Sequence, residues 1–524
     1  MVLYRAFATV GGMTILSRIL GFARDMLLAA LLGTSATADA FFVAFRIPNL
    51  FRRLFAEGAF DSAFVPLFTK RYHGQGEGEG EAAARRFAEQ AMAGLALVLI
   101  VFTVLGEIAM PWLMLALAPG FSADPDKFAL AVTLARIALP YLLCMSLVAL
   151  YSGMLNALGR FAIAAFVPTL LNVVLILALL GSVALGISAN QPLVGHVLAW
   201  AITVSGLAQV AVMIFAAAKV GIALKIRRPV WNDEMRRLLQ LAMPGLLAGG
   251  IAQVSIMLGT IIASFQERAV SWLYYADRIF QLPLGVIGVA IGVVLLPELS
   301  HRLRQGDHKA VLDAENRSME FALFLTIPAA VALILTAEPI IRVLFERGAF
   351  THIDSGASAD MLIAFAFGLP AYVLVKIFNP LFFAREDTKT PMICAGHSLA
   401  ANAVLTLLLF NILGAVGIAI ATAIAGWLNA GLLAYQLKRR DGLAFDATFR
   451  KRFRGTVIAS VAMGAALYLL ETWLHRWFVP DQGLLIQATA LFMLIGGGLA
   501  IYFGTAELLG AISLRRLRKN LNTG

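Results

Sequence analysis

The sequence predicts an all-α integral membrane protein of about fourteen transmembrane helices, in two six-helix lobes related by internal duplication plus two extra C-terminal helices. Three observations predict it. The 524 residues are 60% hydrophobic and 14% charged, with a mean hydropathy of +0.83, whereas soluble domains run about 45–50% apolar and about 25% charged. Apolar runs of the roughly 20 residues needed to cross a bilayer recur along the whole chain. The chain also resembles itself at a nearly constant offset.

The runs can be taken in order. Span one (8–32) carries Arg18, Arg24 and Asp25 and lacks a small-residue cleavage site, so a retained helix is expected rather than a signal peptide. Span two (36–68) opens near Asp39 and holds Arg46, Arg52, Arg53, Glu57 and Asp61 among Phe and Leu. The Gly/Glu stretch HGQGEGEGEAAARR (73–86) then reads as a flexible loop. Span three (87–117) contains Glu107, and span four (128–151) contains Arg136 near its end. Spans five (161–186) and six (191–218) lead to the basic linker RRPVWNDEMRR (227–237). Span seven (238–264) precedes span eight (270–299), which carries Asp277 and Arg278 with the helix breakers Pro283, Gly285, Gly288, Gly292 and Pro297. Spans nine (318–345), ten (359–383, with Lys376), eleven (391–412) and twelve (414–436) follow, then thirteen (455–474) and fourteen (484–508). Strands at β-barrel spacing are not seen, which leaves helices as the spanning element.

Residues repeat at an offset near 230. Arg46 aligns with Arg278, Pro66 with Pro297, Pro111 with Pro339, Gly120 with Gly348, Pro140 with Pro370 and Asn172 with Asn402. The expected organisation is therefore an N-lobe at 1–230 (spans one to six), a C-lobe at 231–440 (spans seven to twelve), and spans thirteen and fourteen with a basic tail at 441–524. An even number of spans per repeat makes the repeats parallel, the plan of two-lobed transporters that bind between halves and rock to alternate access.

The net charge of +11 falls mostly in loops after even-numbered spans, whereas 118–127 has one Lys and two Asp and 184–192 has no charge. The positive-inside rule then places both termini in the cytoplasm. The excess charge sets orientation and does not indicate nucleic-acid binding. Cys144 and Cys394 lie in or near apolar runs and read as buried thiols with no metal spacing. Phosphate-loop, nucleophile-elbow and zinc-protease motifs are missing. No catalytic residues or metal ligands are assigned.

Charge inside the spans carries the functional reading. An Arg at mid-bilayer costs about 2.5–3.5 kcal/mol on insertion scales, so it persists where it pairs or faces a wet cavity. Arg53 and Glu57 are i,i+4 neighbours, Asp25 and Arg18 share a face, and Arg136 and Lys376 can snorkel. Arg18, Arg24, Arg52 and Arg278 remain, from both halves. Arg presents a planar fork suited to phosphate, so several arginines lining one cleft predict an anionic substrate.

The segments SRILGFARDMLLAALLGTSATADAFFVAFRIPNLFRRLFAEGAFDSAFVPLF (17–68), VSWLYYADRIFQLPLGVIGVAIGVVLLPELS (270–300) and AREDTKTP (384–391) resemble the signature segments of the MurJ (MviN) family. That family comprises lipid II flippases of the multidrug/oligosaccharidyl-lipid/polysaccharide exporter superfamily. The resemblance implies a central cationic cavity, and a groove at spans thirteen and fourteen for a lipid tail. It implies substrate-binding roles for Arg18, Arg24, Arg52 and Arg278, with the acidic Asp39 and Glu57 beside them. It implies a bacterial inner-membrane protein that acts as a monomer on lipid II, in the company of cell-wall synthesis proteins. It requires no cofactor and leaves sodium, protons and the membrane potential open as energy sources.

The rival readings are a flippase for another lipid-linked glycan, a drug exporter of the same superfamily, a scaffold without transport, and a membrane enzyme. A drug antiporter calls for acidic cavity residues, a scaffold needs no buried cations, and an enzyme needs a catalytic pair. Charge alone does not separate the glycan-lipid flippase.

Overall fold

The computed structural model describes residues 2–52, 61–74, 80–187, 191–304, 308–441, 445–479 and 482–511. Its elements in chain order are α1 (Val2–Leu32), α2 (Ala36–Arg52), α3 (Asp61–His73), α4 (Glu81–Leu117), α5 (Pro125–Ala138), α6 (Tyr141–Ala157), α7 (Phe161–Ala184) and α8 (Pro192–Lys219). Then come α9 (Asp233–Ala263), α10 (Ala269–Arg304), α11 (His308–Phe345), α12 (His352–Phe383), α13 (Lys389–Leu413), α14 (Ala415–Asp441), α15 (Ala447–Leu474) and α16 (Leu484–Leu508). No strand occurs among the described residues. Among the described residues ten stretches are long and apolar enough to span a membrane on length and composition alone. With α1, the α2–α3 pair, α9 and α10, the chain follows the expected course of about fourteen spans.

The fourth span is not a single helix. It is α5 followed by α6, broken at Leu139–Pro140, where the proline removes a backbone donor and clashes with the preceding turn. α11 is kinked at Thr336 (φ −114°, ψ 15°), three residues before Pro339, for the same reason.

Local signals set several ends. The Asp124 side chain accepts from the Asp126 and Lys127 amides at 3.1 Å and caps α5, and Asn232 caps α9 through the Met235 amide at 3.0 Å. Thr351 and Asp354 form a reciprocal capping box on α12.

The chain separates into two compact units, Met1–Ser271 with Arg347–Phe350, and Trp272–Glu346 with Thr351–Gly524. In the first, α1 packs on α7, α7 on α8, α6 on α8 and α2 on α5. α9 packs on α3 and α4. The 220–232 linker is strapped to α4: buried Glu89 accepts from the Lys225 amide at 3.0 Å and pairs with Arg85 and Arg227. In the second unit, α11 packs on α12, α12 on α14, α13 on α14, and α15 on both α11 and α16. The pairings repeat: α7 on α8 and α6 on α8 in the first unit correspond to α13 on α14 and α12 on α14 in the second.

The repeat reappears at two glycines of the first unit. A Cβ on Gly120, after α4, would stand 2.2 Å from the Ser264 carbonyl oxygen at the end of α9. A Cβ on Gly348, after α11, would stand 2.3 Å from the Ala30 carbonyl oxygen at the end of α1. Gly348 also has φ +57°, the left-handed region that glycine enters without cost. The surfaces of both units carry large exposed apolar side chains such as Trp112, Leu185, Phe492 and Leu508, as lipid-facing helices require. Cys144 and Cys394 are free and buried.

Candidate functional site

Candidate residues of the first unit fall in two clusters. In the first cluster, α1 carries Arg24 at 4% exposure. Its Nε and Nη2 donate to Asp25 Oδ1 at 3.0 and 2.7 Å, and its Nη1 donates to Asn172 Oδ1 on α7 at 2.9 Å. The Asn172 amide donates in turn to the Ser17 carbonyl at 2.9 Å, one helix turn below Gly21. Gly21 leaves room for that amide: a Cβ there would reach Asn172 at 3.4 Å. The arginine fork is thus oriented by a carboxylate and an amide, the geometry that makes a buried guanidinium tolerable.

This differs from the expected pairing of Asp25 with Arg18. Adjacent residues on a helix point apart at Cβ, but the arginine stem is long enough to bring its fork back to the neighbouring carboxylate. Arg18 itself is exposed on α1.

The second cluster centres on Asp39, in the first turn of α2 and 0% exposed. It accepts from Lys127 Nζ on α5 at 2.7 Å. It also accepts from the Ser271 amide at 3.0 Å, the Ser271 hydroxyl at 2.5 Å and the Arg268 amide at 3.2 Å. Arg268 holds φ +65°, an uncommon backbone for a residue with a Cβ, and its amide is one of the groups Asp39 fixes. The Lys127 ammonium lies 4.2 Å over the Phe121 ring. Asp39 therefore ties α2, α5 and the α9–α10 turn together.

In the second unit, Arg278 on α10 is half-buried, its guanidinium 5.2 Å from the Tyr274 ring centre. Its Nε and Nη2 donate to the Tyr274 hydroxyl at 3.3 and 3.2 Å, one helix turn back. Asp277 accepts from Gln281. Lys376 on α12 reaches the Leu284 carbonyl on α10 at 3.4 Å, and in the first unit Arg136 reaches the Glu107 carbonyl at 3.1 Å. Arg52 is the last residue of α2. Arg53 and Glu57 lie outside the described residues.

The structure thus gives Arg24, Asp39 and Arg278 defined settings, and it adds three residues that sequence reasoning missed. In the sequence Lys127 reads only as a loop charge, Ser271 as part of a signature segment, and Asn172 as a landmark of the repeat. The Asn172–Asn402 correspondence was the available signal, since a buried asparagine in lipid needs partners. Among the described residues no cluster of three or more His, Cys, Asp or Glu could hold a metal ion.

Comparison with known proteins follows the same lines. A family model described as "Lipid II flippase MurJ" matches residues 28–487. A protein of Rhizobium meliloti (strain 1021), "Probable lipid II flippase MurJ", is 47% identical over 525 residues, covering 100% of this chain and 97% of that protein. "Lipid II flippase MurJ" of Burkholderia cenocepacia is 34% identical, covering 97% of this chain and 98% of that protein. Among solved structures, "Lipid II flippase MurJ, inward closed conformation" superposes with a TM-score of 0.78 at 27% identity, covering 95% of this chain and 98% of that one. A structure described as the inward-facing conformation of "a multidrug resistance MATE family transporter of the MOP superfamily" superposes at 0.66 and 14% identity, covering 86% of this chain and 99% of that one, and so shares the fold.

Proposed function

The chain belongs to the lipid II flippase MurJ family, and we propose that it moves lipid II from the inner to the outer leaflet of the bacterial cytoplasmic membrane. It is a transporter of multi-pass membrane architecture rather than an enzyme. The finer reading is alternating access, with the substrate pyrophosphate held by Arg18, Arg24, Arg52 and Arg278 and with both termini cytoplasmic.

The observation that carries this reading is the buried Arg24 fork. Two guanidinium nitrogens lie on Asp25 and a third on Asn172, so the buried fork is held in one orientation. Asp25 acts as the counter-ion of the empty carrier. A pyrophosphate offers the same fork more charge and more oxygens, and exchanges with Asp25 on binding. Arg278 donates through Nε and Nη2 to the Tyr274 hydroxyl, which orients its fork. Asp39 positions the helices around the site rather than touching the substrate, since its oxygens already accept from Lys127, Ser271 and Arg268. Moving an anion outward with the inside negative is favoured by about 2.3 kcal/mol per charge per 100 mV, so the potential assists export. Sodium or proton coupling is a further route to resetting the carrier. The chain acts as a monomer, with cell-wall synthesis proteins nearby.

The test follows outer-leaflet lipid II in cells depleted of their own flippase and supplied with this chain. Wild type restores the pool, and Arg52→Ala at equal membrane level does not. Restoration by both refutes the arginine account. Restoration by neither moves the substrate to another lipid-linked glycan.

A further inference from the structure

The start of α15 carries a second concentration of positive charge, outside the transport site. The stretch ATFRKRFRG places Arg450, Lys451, Arg452 and Arg454 within five residues. They do not all serve the same purpose. Arg452 faces the protein and donates to Glu320 on α11 at 2.8 Å, and Arg317 bridges Glu320 to Asp446, the α15 cap. That network accounts for one cation of the run.

Arg450, Lys451 and Arg454 lie on the other side of the helix and are exposed, and none forms an ion pair among the described residues. Arg450 and Arg454 are one turn apart and so stand one above the other. With Ala447, Gly455, Ile458 and Leu509 they line a notch of about 390 Å³. Leu509 comes from the end of α16, and Gly455 lets the two helices close beneath the notch: a Cβ there would stand 3.0 Å from Ala511 Cβ and 3.6 Å from Leu509 Cβ. The floor is apolar and the rim cationic. From the floor an apolar strip runs on along α15 through Ile458 (53% exposed) and Val461 (66% exposed) towards Tyr468 and Leu469.

We propose that this notch binds the phosphodiester head group of an anionic glycerophospholipid, whose acyl chains lie along that strip of α15. The notch lining holds three exposed cations and no carboxylate, which suits an anion. Two arginine forks one turn apart suit the unesterified oxygens of a phosphodiester. The apolar strip distinguishes a lipid from a soluble anion, because only the lipid also covers Ile458 and Val461. Basic notches between spanning helices at the cytoplasmic interface recognise lipid head groups on these grounds. The inference uses none of the transport arginines, although its strip lies on the span where the family resemblance places a groove for a lipid tail.

The test uses the purified full chain in neutral detergent, with short-chain phosphatidylglycerol, short-chain phosphatidylcholine and inorganic phosphate as probes and native mass spectrometry as the readout. Phosphatidylglycerol is expected to bind at least tenfold more tightly than phosphatidylcholine. The triple variant Arg450→Gln/Lys451→Gln/Arg454→Gln is expected to lose on the order of a hundredfold, from three cations near an anionic head group. Arg452→Gln removes a charge from the same run but not from the notch, and is expected to retain phosphatidylglycerol while lowering the melting temperature. Equal phosphatidylglycerol binding by wild type and triple variant overturns the proposal. So does an equal loss in Arg452→Gln, which reduces the effect to net charge. Displacement by inorganic phosphate at concentrations matching the lipid also overturns it, assigning the notch to a soluble anion.

Discussion

The Asp39 cluster supports a quantitative prediction. Asp39 is fully buried and Lys127 nearly so, with 2.7 Å between them. Replacing Asp39 by Asn keeps the shape and the Ser271 contacts but leaves the Lys127 ammonium buried without its counter-ion. Breaking one side of a buried pair costs about 3–5 kcal/mol, and Asp39→Asn is expected near the middle of that range. Lys127→Met leaves Asp39 with its Ser271 and Arg268 donors, so a cost of about 3 kcal/mol is expected. The double variant removes both charges. It is expected to cost no more than the worse single change, a coupling of about 3 kcal/mol, at the upper end for groups in contact. The assay is thermal unfolding of the four proteins in one detergent, where ~2 °C accompanies each kcal/mol in a unit of this size. Asp39→Asn should then melt roughly 8 °C lower, and the double variant no lower. Additive losses, or an Asp39→Asn protein that melts with wild type, would refute the ion pair as the tie between α2, α5 and the α9–α10 turn.

Other outcomes follow from single positions. Gly348→Ala places a Cβ 2.3 Å from a carbonyl oxygen at φ +57°, and is expected to cost more than about 2 kcal/mol. Gly159→Ala, at φ +71° with nothing within 4 Å, is expected to cost about 1 kcal/mol; equal melting of the two variants would contradict the close approach. Arg24→Lys keeps the charge but not the fork, so it should lose the link to Asn172 and about 1–2 kcal/mol of stability, measured against Asn172→Ala, which should cost a similar amount. In the 384–391 loop, the Thr390 amide and hydroxyl, with Arg440 beside them, hold the Asp387 carboxyl down to about 2. A depressed carboxylate stabilises above its unfolded value near 3.9 and loses that contribution as pH falls through its folded value. The melting difference between wild type and Asp387→Asn should accordingly stay flat from pH 5 to 8 and shrink only below about pH 4; a change around neutrality would show that another group titrates there.

The sequence made the membrane course legible because lipid imposes a simple rule: long apolar runs must be helices. All the expected spans are present, and the misses lie within them. Pro140 was visible as a landmark of the repeat, yet its effect, splitting the fourth span into α5 and α6, depends on local backbone geometry. The offset near 230 that pairs Gly120 with Gly348 points to positions doing the same work, each admitting a carbonyl from the end of another helix. Ion pairing was less legible. Helical spacing suggested Arg18 for Asp25, but a flexible stem allowed Arg24 to take it. Asp39 finds its partners 88 and 232 residues away, a separation that no periodicity encodes. The charges of 450–454 looked uniform in sequence, and only the packing of α15 on α11 separated Arg452 from its neighbours.

The most direct test of the arginine account is transport by the purified chain in vesicles containing head-group-labelled lipid II, with wild type, Arg52→Ala and Arg278→Ala compared at equal incorporation. Wild type is expected to expose the label to an external quencher, faster when an imposed potential favours movement of the anion, and each alanine variant to be slower by at least tenfold, about 1.4 kcal/mol of lost substrate stabilisation. Alanine variants that carry lipid II at the wild-type rate would contradict the claim that these arginines hold the pyrophosphate.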